Sequence, residues 1–149
     1  MRPKEQGRTE MSSTTEVARS VYEAWEKRDF DALVDHMTDD VIFNDFPSGQ
    51  IIKGRPAVKD FYASWAAACP DSVCGANVIA ASDDTVVIEG VWHGTNSGSF
   101  GPFPSTGRSV SMPWVNVLRF DADGRIASGA GYYDQLTVLT QLDHMKVPA

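Results

Sequence analysis

Residues 125–142 read R-I-A-S-G-A-G-Y-Y-D-Q-L-T-V-L-T-Q-L, and this stretch decides the fold of the chain. Its first half is typical of a β-strand, with Ile126 and two adjacent tyrosines separated by small residues. Its second half carries leucines at positions 136, 139 and 142, which is the spacing of a short amphipathic helix. The stretch therefore predicts a strand that leads directly into a terminal helix, with the single carboxylate of Asp134 at the junction.

Asp134 has two interpretations at this junction. In the wall of an apolar pocket, desolvation would raise the pKa of its carboxyl group and suit it to accept and return a proton. Directly before a helix, Asp is also a favoured N-cap residue. Caps are more common than catalytic acids, and one side chain can fill both roles.

The composition is that of one ordinary globular domain. The chain has 149 residues, of which 42% are hydrophobic and 22% are charged, enough for a substantial core. The net charge of -7 argues against nucleic acid or an anionic membrane as the main partner, since both repel an acidic surface. With no apolar run of membrane-spanning length and no signal-peptide pattern, we expect a cytoplasmic protein.

The two cysteines, Cys69 and Cys74, have C-x4-C spacing without a second pair of ligands. A zinc site is therefore not expected, and we interpret both residues as reduced, partly buried and inert thiols.

The order of elements predicts an α+β fold. Residues 1–12 are polar and aperiodic, which predicts a disordered tail before a single domain over residues 13–149. Ser13 and Glu16 have the spacing of a capping box and predict the start of the first helix. Further helices are expected over 31–37 and from Pro56 to before Pro70, with short strands at 41–46 and 50–52. The remaining strands are predicted at 73–81, Thr85–Thr95, Ser109–Phe120 and Ile126–Tyr133, ahead of the terminal helix. We expect a curved, mostly antiparallel sheet wrapped around the N-terminal helices.

Alternation along the strands suggests a small-molecule pocket. Met112, Trp114 and Asn116 fall on one face of their strand, and Tyr132 and Asp134 share a face of the last strand. Mostly apolar walls with a few polar groups are typical of a ligand site, although the aromatic residues could equally be core. Asn116 is stronger evidence for a pocket than the aromatic residues, because an amide in a buried strand needs a hydrogen-bond partner from the protein or a ligand.

His93 is a candidate acid/base partner or ligand-orienting residue beside Trp92, and the alternative is a partly exposed residue at a strand end. The sequence lacks the G-x-S-x-G, P-loop, G-x-G-x-x-G and H-E-x-x-H motifs. The usual signals of acyl-serine, phosphate, dinucleotide and zincin chemistry are therefore missing.

A series of short motifs runs from the first predicted helix to the last: W-E-K-R-D-F-D-A-L, V-I-F-N-D-F, G-R-P-A-V-K-D-F with a following C-P-D, G-T-N-S-G-S-F-G-P-F-P-S-T-G-R, V-L-R-F-D-A-D-G-R-I and Y-Y-D-Q-L-T-V-L-T-Q-L. In these motifs the sequence resembles the SnoaL-like polyketide cyclase family of the NTF2-like superfamily, which also contains ketosteroid isomerases and limonene epoxide hydrolases. The G-T-x-x-G…T-G-R loop and the closing Y-Y-D…Q-L are the more specific parts.

The resemblance implies an NTF2-like cone with a deep apolar cavity, dimeric through its sheet, and an enzyme without metal or organic cofactor. It also implies that Asp134 acts as general acid/base in proton removal next to a carbonyl, followed by aldol closure. Many relatives carry His where this chain has Asn44 and Asn96.

We therefore expect a cofactor-independent cyclase or isomerase acting on a hydrophobic, carbonyl-bearing small molecule. Asp134 would be catalytic, with hydrogen bonds from Asn116 and from His93 or Asn44. The expected cavity walls are Trp114, Met112, Tyr132, Phe61 and Trp65. The alternatives are an epoxide hydrolase of the limonene epoxide hydrolase type and a non-catalytic binding module.

Overall fold

The computed structural model describes residues 3–146 and 148, and for residues 3–12 it defines the backbone alone. The elements are α1 (Pro3–Glu26), α2 (Phe30–Val34), β1 (Met37–Asp45), β2 (Gln50–Lys53), α3 (Arg55–Ala68), β3 (Asn77–Ala81), β4 (Thr85–Thr95), β5 (Ser109–Phe120), β6 (Ile126–Tyr133) and α4 (Gln135–Gln141). The expected α+β class is confirmed, and β4, β5 and β6 have the predicted bounds. Over the described residues, no helix is both long and apolar enough to cross a membrane.

The six strands form one sheet in the order β2-β1-β6-β5-β4-β3. All neighbouring pairs are antiparallel except β1 and β6, which run parallel. The last strand of the chain therefore lies inside the sheet, between the first strand and β5. This position brings residues far apart in sequence onto one surface.

Several predicted boundaries differ from the structure. Helix α1 begins at Pro3 rather than at Ser13, because a proline suits the first turn and most of the residues that follow are good helix formers. The predicted tail, residues 1–12, overlaps these turns from Pro3 onward; Met1 and Arg2 lie outside the described residues, and mobility of the segment stays a prediction. Helix α2 ends at Val34, so that Met37 already belongs to β1. Strand β3 begins only at Asn77, since Gly75 has a positive φ of 57°.

Helices α1 and α3 cover one face of the sheet, which we call the inner face. Core side chains of α1 such as Val21 and Trp25 pack there together with Val58 and Tyr62 of α3. The opposite face, which we call the outer face, leaves several large apolar side chains exposed. The inner face is therefore where a buried site can form.

Two glycines leave the inner face of β6 without side chains at Gly129 and Gly131. A Cβ atom at Gly129 would lie 2.7 Å from the ring of Phe43, and one at Gly131 would lie 3.1 Å from Asn116 Oδ1. A side chain at Gly129 would collide with Phe43, and one at Gly131 would fit only if its neighbours shifted by a few tenths of an ångström. The S-G-A-G segment thus allows Phe43 to lie across β6 and leaves space above the strand.

The glycine-rich connection between β4 and β5 is held by one buried amide. The side chain of Asn96 is fully buried and its Nδ2 donates to the carbonyl oxygens of Ala68, at 3.1 Å, and Gly98, at 2.8 Å. Its Oδ1 accepts from the backbone N–H of Thr106 at 2.9 Å. Asn96 therefore ties both ends of the connection to the end of α3.

The substitution Asn96→Ala should lower the free energy of unfolding by about 2–3 kcal/mol, because it removes a fully buried side chain together with the hydrogen bonds that it makes to Ala68, Gly98 and Thr106. Urea denaturation followed by circular dichroism measures the change. The exposed neighbour Ser97 provides the control, since Ser97→Ala removes no hydrogen bond of this set. Equal stability of the two variants would contradict this role for Asn96.

Candidate active site

An apolar cavity of about 70 Å³, partly open to solvent, lies between the inner face of the sheet and helices α1 and α3. None of the residues that line it in the described structure is Lys, Arg or His. The lining residues are Tyr22, Trp25, Phe43, Asp45, Phe61, Tyr62, Trp65, Cys74, Trp92, Met112, Trp114, Asn116, Gly131 and Tyr133.

Asp45 is the single carboxylate in this lining. It is the last residue of β1, where alternation turns Val41, Phe43 and Asp45 toward the core, and it is only 2% exposed. Its Oδ2 accepts a hydrogen bond from the Tyr133 hydroxyl at 2.9 Å and another from the Ser48 hydroxyl. Its Oδ1 is buried and has no partner among the described residues.

A tight turn after β1 returns Ser48 to the carboxylate. The backbone N–H of Gly49 donates to the carbonyl of Asp45 at 2.9 Å, and the positive φ of 75° at Gly49 suits a residue without a side chain. The sequence P-S-G therefore fixes one oxygen of Asp45 and leaves the other free.

Burial in this apolar setting raises the pKa of Asp45, while the hydrogen bonds from Ser48 and Tyr133 oppose part of that rise. Burial, together with the nearby Asp45 carboxylate, also raises the pKa of Tyr133, so its phenol remains a proton donor. A carboxyl group with a raised pKa and one unpartnered oxygen can take up a proton from a molecule in the cavity and return it.

A second polar pair, Tyr22 and Asn116, lies on the other side of Gly131 from Asp45. Asn116 Nδ2 donates to the Tyr22 hydroxyl at 2.8 Å, and the ring of Tyr22 stacks on Trp114 with centroids 5.2 Å apart. Asn116 and Asp45 are both paired with Gly131 of β6, so two strand spacings, roughly 10 Å, separate their backbones. Burial raises the pKa of Tyr22, which keeps its hydroxyl protonated. The pair therefore offers hydrogen-bond donors opposite the carboxylate.

The structure brings together five of the residues expected to form the pocket. Phe61 and Trp65 of α3 line the cavity, as do Met112, Trp114 and Asn116 of β5. Binding of a substrate by these residues stays a prediction.

Asp134 lies elsewhere, and its expected place in the pocket is wrong. Its carboxylate is exposed at the N-cap of α4, where Oδ1 accepts from the Thr137 N–H at 3.1 Å and Oδ2 from the Thr137 hydroxyl at 2.6 Å. These hydrogen bonds lower the pKa of Asp134, the direction opposite to that expected for a proton shuttle. The N-cap interpretation is what the geometry supports.

Tyr132, His93 and Asn44 also lie outside the cavity lining. Tyr132 is 47% exposed on the outer face and stacks on Phe46 with centroids 5.1 Å apart. His93 is exposed and follows the inward-facing Trp92, and Asn44 alternates with the inward-facing residues of β1. The reason is strand parity: each expected residue is the immediate neighbour of one that faces inward.

Asp45, Tyr133 and Tyr22 were missed by the sequence reasoning. The pattern Val41, Phe43, Asp45 in V-I-F-N-D-F contains a signal, because it places a carboxylate on the apolar face of a strand. In β6 the residues before the two tyrosines are small and show no hydrophobic alternation. The sequence therefore did not indicate which tyrosine is buried.

The thiol of Cys74 also reaches the cavity, but burial raises its pKa to about 12. The thiol therefore stays protonated near neutral pH and is a poor nucleophile. Across the described part of the chain, no cluster of three or more His, Cys, Asp or Glu residues could hold a metal ion.

Comparison with known proteins identifies the family. A sequence model of the SnoaL-like polyketide cyclase family matches residues 15–142. The chain belongs to this family. The resemblance seen in the sequence motifs is thus confirmed, while no protein with a curated description matches this SnoaL-like chain.

Solved structures place this SnoaL-like protein in the NTF2-like, ketosteroid-isomerase-like fold. It is similar to a SnoaL-like protein from Jannaschia sp. CCS1, with 21% identity, a TM-score of 0.78, and coverage of 91% of this chain and 95% of the other. IdmH from Streptomyces antibioticus, provisionally designated a polyketide cyclase, is 25% identical with a TM-score of 0.73, covering 87% and 98%. A protein from Catenulispora acidiphila with a ketosteroid isomerase-like fold, crystallised with trimethylamine, is 23% identical with a TM-score of 0.68, covering 86% and 92%.

The pKa directions of Asp45 and Asp134 predict opposite effects of pH on stability. Asp45 has a raised pKa, so its contribution to stability is complete below the unfolded value, about 3.9, and declines as pH rises through the folded pKa. Relative to wild type, Asp45→Asn should therefore gain stability as pH rises from 3 to 8. Thermal unfolding across this pH range measures the difference.

Asp134→Asn is the matched control, and its stability relative to wild type should change with pH in the opposite direction. Its lowered pKa means that the ionised form stabilises the fold, a contribution lost as pH falls through the folded pKa. Relative to wild type, this variant should lose stability as pH rises. The same trend with pH in both variants would contradict the assignment of Asp45 as the buried carboxyl group.

Proposed function

We propose that this protein is a cofactor-independent enzyme that removes and returns a proton on a hydrophobic, carbonyl-bearing small molecule. Asp45 is its general acid/base. The observation that carries the proposal is the buried carboxylate of Asp45, which keeps one oxygen unpartnered inside an apolar cavity. Membership of a family named for polyketide cyclases supports carbonyl chemistry on such a molecule.

In the first step, Asp45 Oδ1 takes a proton from a carbon next to a carbonyl group. The electron pair of the C–H bond forms the C=C bond of an enolate, and the π pair of the carbonyl moves onto its oxygen. The Tyr22 hydroxyl and the Asn116 amide, which already share a hydrogen bond of 2.8 Å, are the donors that would stabilise this enolate. Ser48 and Tyr133 hold the other carboxylate oxygen, so Oδ1 is the oxygen that remains available to a substrate.

In the second step, the enolate either takes the proton back at another carbon or attacks a second carbonyl of the same molecule. The first route is an isomerisation. The second forms a carbon–carbon bond and an alkoxide, to which Asp45 gives the proton that it took. Both routes balance without oxidant, reductant or cofactor.

The raised pKa of Asp45 fits this chemistry. A carbon flanked by carbonyl groups is unusually acidic for a carbon acid, and a carboxylate with a raised pKa is better matched to it than one at its ordinary value. The apolar walls lower the local dielectric constant, which strengthens the hydrogen bonds to the enolate.

The two alternative functions use the cavity differently. An epoxide hydrolase would use Asp45 to activate water, and a binding module would use the cavity without proton transfer. The geometry offers no observation that favours either over carbonyl chemistry. Cytoplasmic localisation also remains a proposal.

Exchange of carbon-bound protons tests the proposal with 2-tetralone, a two-ring ketone, as the probe. The wild-type protein should accelerate deuterium uptake next to the carbonyl in D₂O, measured by proton NMR. Asp45→Asn should reduce the acceleration by about 100-fold or more while 2-tetralone binding is largely kept.

Asp134→Asn is the control for a carboxylate outside the cavity and should exchange at the wild-type rate. If Asp45→Asn exchanges as fast as wild type, Asp45 is not the base. Saturable binding of 2-tetralone without any acceleration by wild type would favour the binding module.

We also propose that the protein forms a homodimer through the outer face. Large apolar side chains are exposed there, and the stacked pair of Phe46 and Tyr132 lies near its centre. Apolar surface of this kind on a sheet is typical of an interface between subunits. The exposed residues are Ile42, Phe46, Ile51, Val91 and Tyr132.

The double substitution Val91→Lys and Tyr132→Lys should convert the dimer into a monomer, because it buries two charges at the interface. Sedimentation equilibrium measures the mass. Leu136→Lys, at an exposed apolar position on α4, is the control and should remain dimeric. A monomeric wild-type protein would refute this assembly.

A further inference from the structure

The outer face of the sheet carries a stacked aromatic pair directly behind the Asp45 carboxylate. The rings of Phe46 and Tyr132 stack there with centroids 5.1 Å apart and planes 21° apart. Phe46 follows Asp45 in the chain, and Tyr132 precedes Tyr133. Because neighbouring residues of a strand point to opposite faces, the stack lies on one side of the sheet and the Asp45–Tyr133 hydrogen bond, at 2.9 Å, lies on the other. The same two pieces of backbone therefore carry both contacts.

The segment of β6 that precedes Tyr132 is poor in side chains that could fix its register against β1. Residues 127–131 read A-S-G-A-G, without a large side chain on either face. Glycine-rich strands specify their pairing register weakly, and a shift of one residue exchanges the two faces. A backbone hydrogen bond from the Phe46 N–H to the Gly131 carbonyl continues the pairing past the end of β1, and at 3.3 Å it is long. The stacked rings therefore supply the side-chain contact that fixes the register here on the outer face.

The piece of chain held by the stack also carries the groups of the site. Asp45 and Ser48 both belong to the tip of the hairpin formed by β1 and β2, and β1 lies between β2 and β6 in the sheet. Since β2 belongs to the same hairpin, pairing with β6 ties the tip to the middle of the sheet. A shift of the tip along β6 would lengthen the hydrogen bond between Asp45 and Tyr133. Proton transfer is sensitive to displacements of about 1 Å, so such a shift would slow the reaction.

We propose that Phe46 and Tyr132 are positioning residues, whose stack on the outer face holds the hairpin tip in register with β6 and thereby keeps Asp45 beside Tyr133. The two rings act through the backbone and touch no substrate. This inference rests on the proposed function for the role of Asp45 as base, and it extends the site to the opposite face of the sheet.

Amide hydrogen exchange, followed by NMR, tests the positioning without any turnover. Tyr132→Ala should speed exchange of the Phe46 amide by roughly two- to tenfold, which is the range that the stabilisation by an aromatic pair implies. The amide of Gly49, which donates to the Asp45 carbonyl inside the turn, should exchange as in wild type. Tyr132→Phe keeps the ring and should restore the wild-type protection of the Phe46 amide.

The effect on the chemistry is measured as kcat and KM for deuterium uptake by 2-tetralone. Tyr132→Ala should lower kcat about tenfold and leave KM nearly unchanged, because the base is displaced while the apolar walls stay intact. In a Tyr133→Phe background the same substitution should lower kcat by about twofold at most, since the hydrogen bond that the stack maintains is already absent. Fully additive losses would overturn the inference, because they would indicate general destabilisation.

Val91→Lys separates the effect of the stack from that of assembly. Val91 is exposed on the same face but lies on β4, which β5 separates from β6, so the substitution disturbs a dimer formed through this face without touching the stack. Its kcat and its Phe46 amide exchange should equal those of wild type. Equal losses in Val91→Lys and Tyr132→Ala would overturn the inference, as would a Tyr132→Ala variant with wild-type kcat and wild-type amide protection.

Failure of the proposed function is distinguishable from failure of this inference. If wild type does not accelerate deuterium uptake, or if Asp45→Asn is as fast as wild type, Asp45 is not the base. Faster exchange of the Phe46 amide in Tyr132→Ala would then still establish that the stack holds the Asp45 backbone against β6. Unchanged amide exchange beside a large loss of activity in Asp45→Asn would leave Asp45 as the base and refute the positioning role of the stack.

Discussion

The arrangement of this site depends on the different hydrogen bonding of the two oxygens of the buried Asp45 carboxylate. Oδ2 of Asp45 accepts from Tyr133 and Ser48, while Oδ1 accepts from nothing in the described structure. Desolvation without a cationic partner is unfavourable for the ionised form. The two hydrogen bonds offset part of that cost, so the pKa of Asp45 rises by less than burial alone would raise it.

The fold maintains this arrangement through its strand order. Because β6 lies between β1 and β5, its inward-facing glycines separate Asp45 from the Tyr22 and Asn116 pair and keep the space between them open. Tyr133, two residues after Gly131 on the same face, then reaches the carboxylate. A one-residue slip of β6 would exchange Tyr133 for Tyr132 and turn the glycines outward, which would fill the cavity and remove the hydrogen bond together.

The sequence predicted the strands well where their hydrophobic patterns were long, as in β4 and β5, and the family resemblance supplied the architecture. In β6 the predicted bounds were right but the predicted inward face was wrong, because its inward positions are Gly129, Gly131 and Tyr133 and small residues carry no periodic signal. Asp134 was therefore assigned to the pocket although the strand ends one residue before it and its carboxylate caps α4. Asp45 could have been found from the alternation of β1, but its hydrogen bond to Tyr133 crosses 88 residues and follows only from the parallel pairing of β1 with β6.

The buried polar groups without hydrogen-bond partners indicate that this site is adapted to bind a ligand and not to maximise the stability of the fold. Asp45 Oδ1, Trp92 Nε1 and the Tyr62 hydroxyl are buried without a hydrogen-bond partner among the described residues, and all three residues line the cavity. Buried polar groups without partners are unfavourable, and a ligand that supplied the partners would relieve that cost. Interior polar atoms that stabilise only the fold, such as those of Asn96, are by contrast fully paired within the chain. Residues whose buried polar groups are fully hydrogen-bonded thus stabilise the fold, whereas residues with unpaired polar groups are available to a substrate.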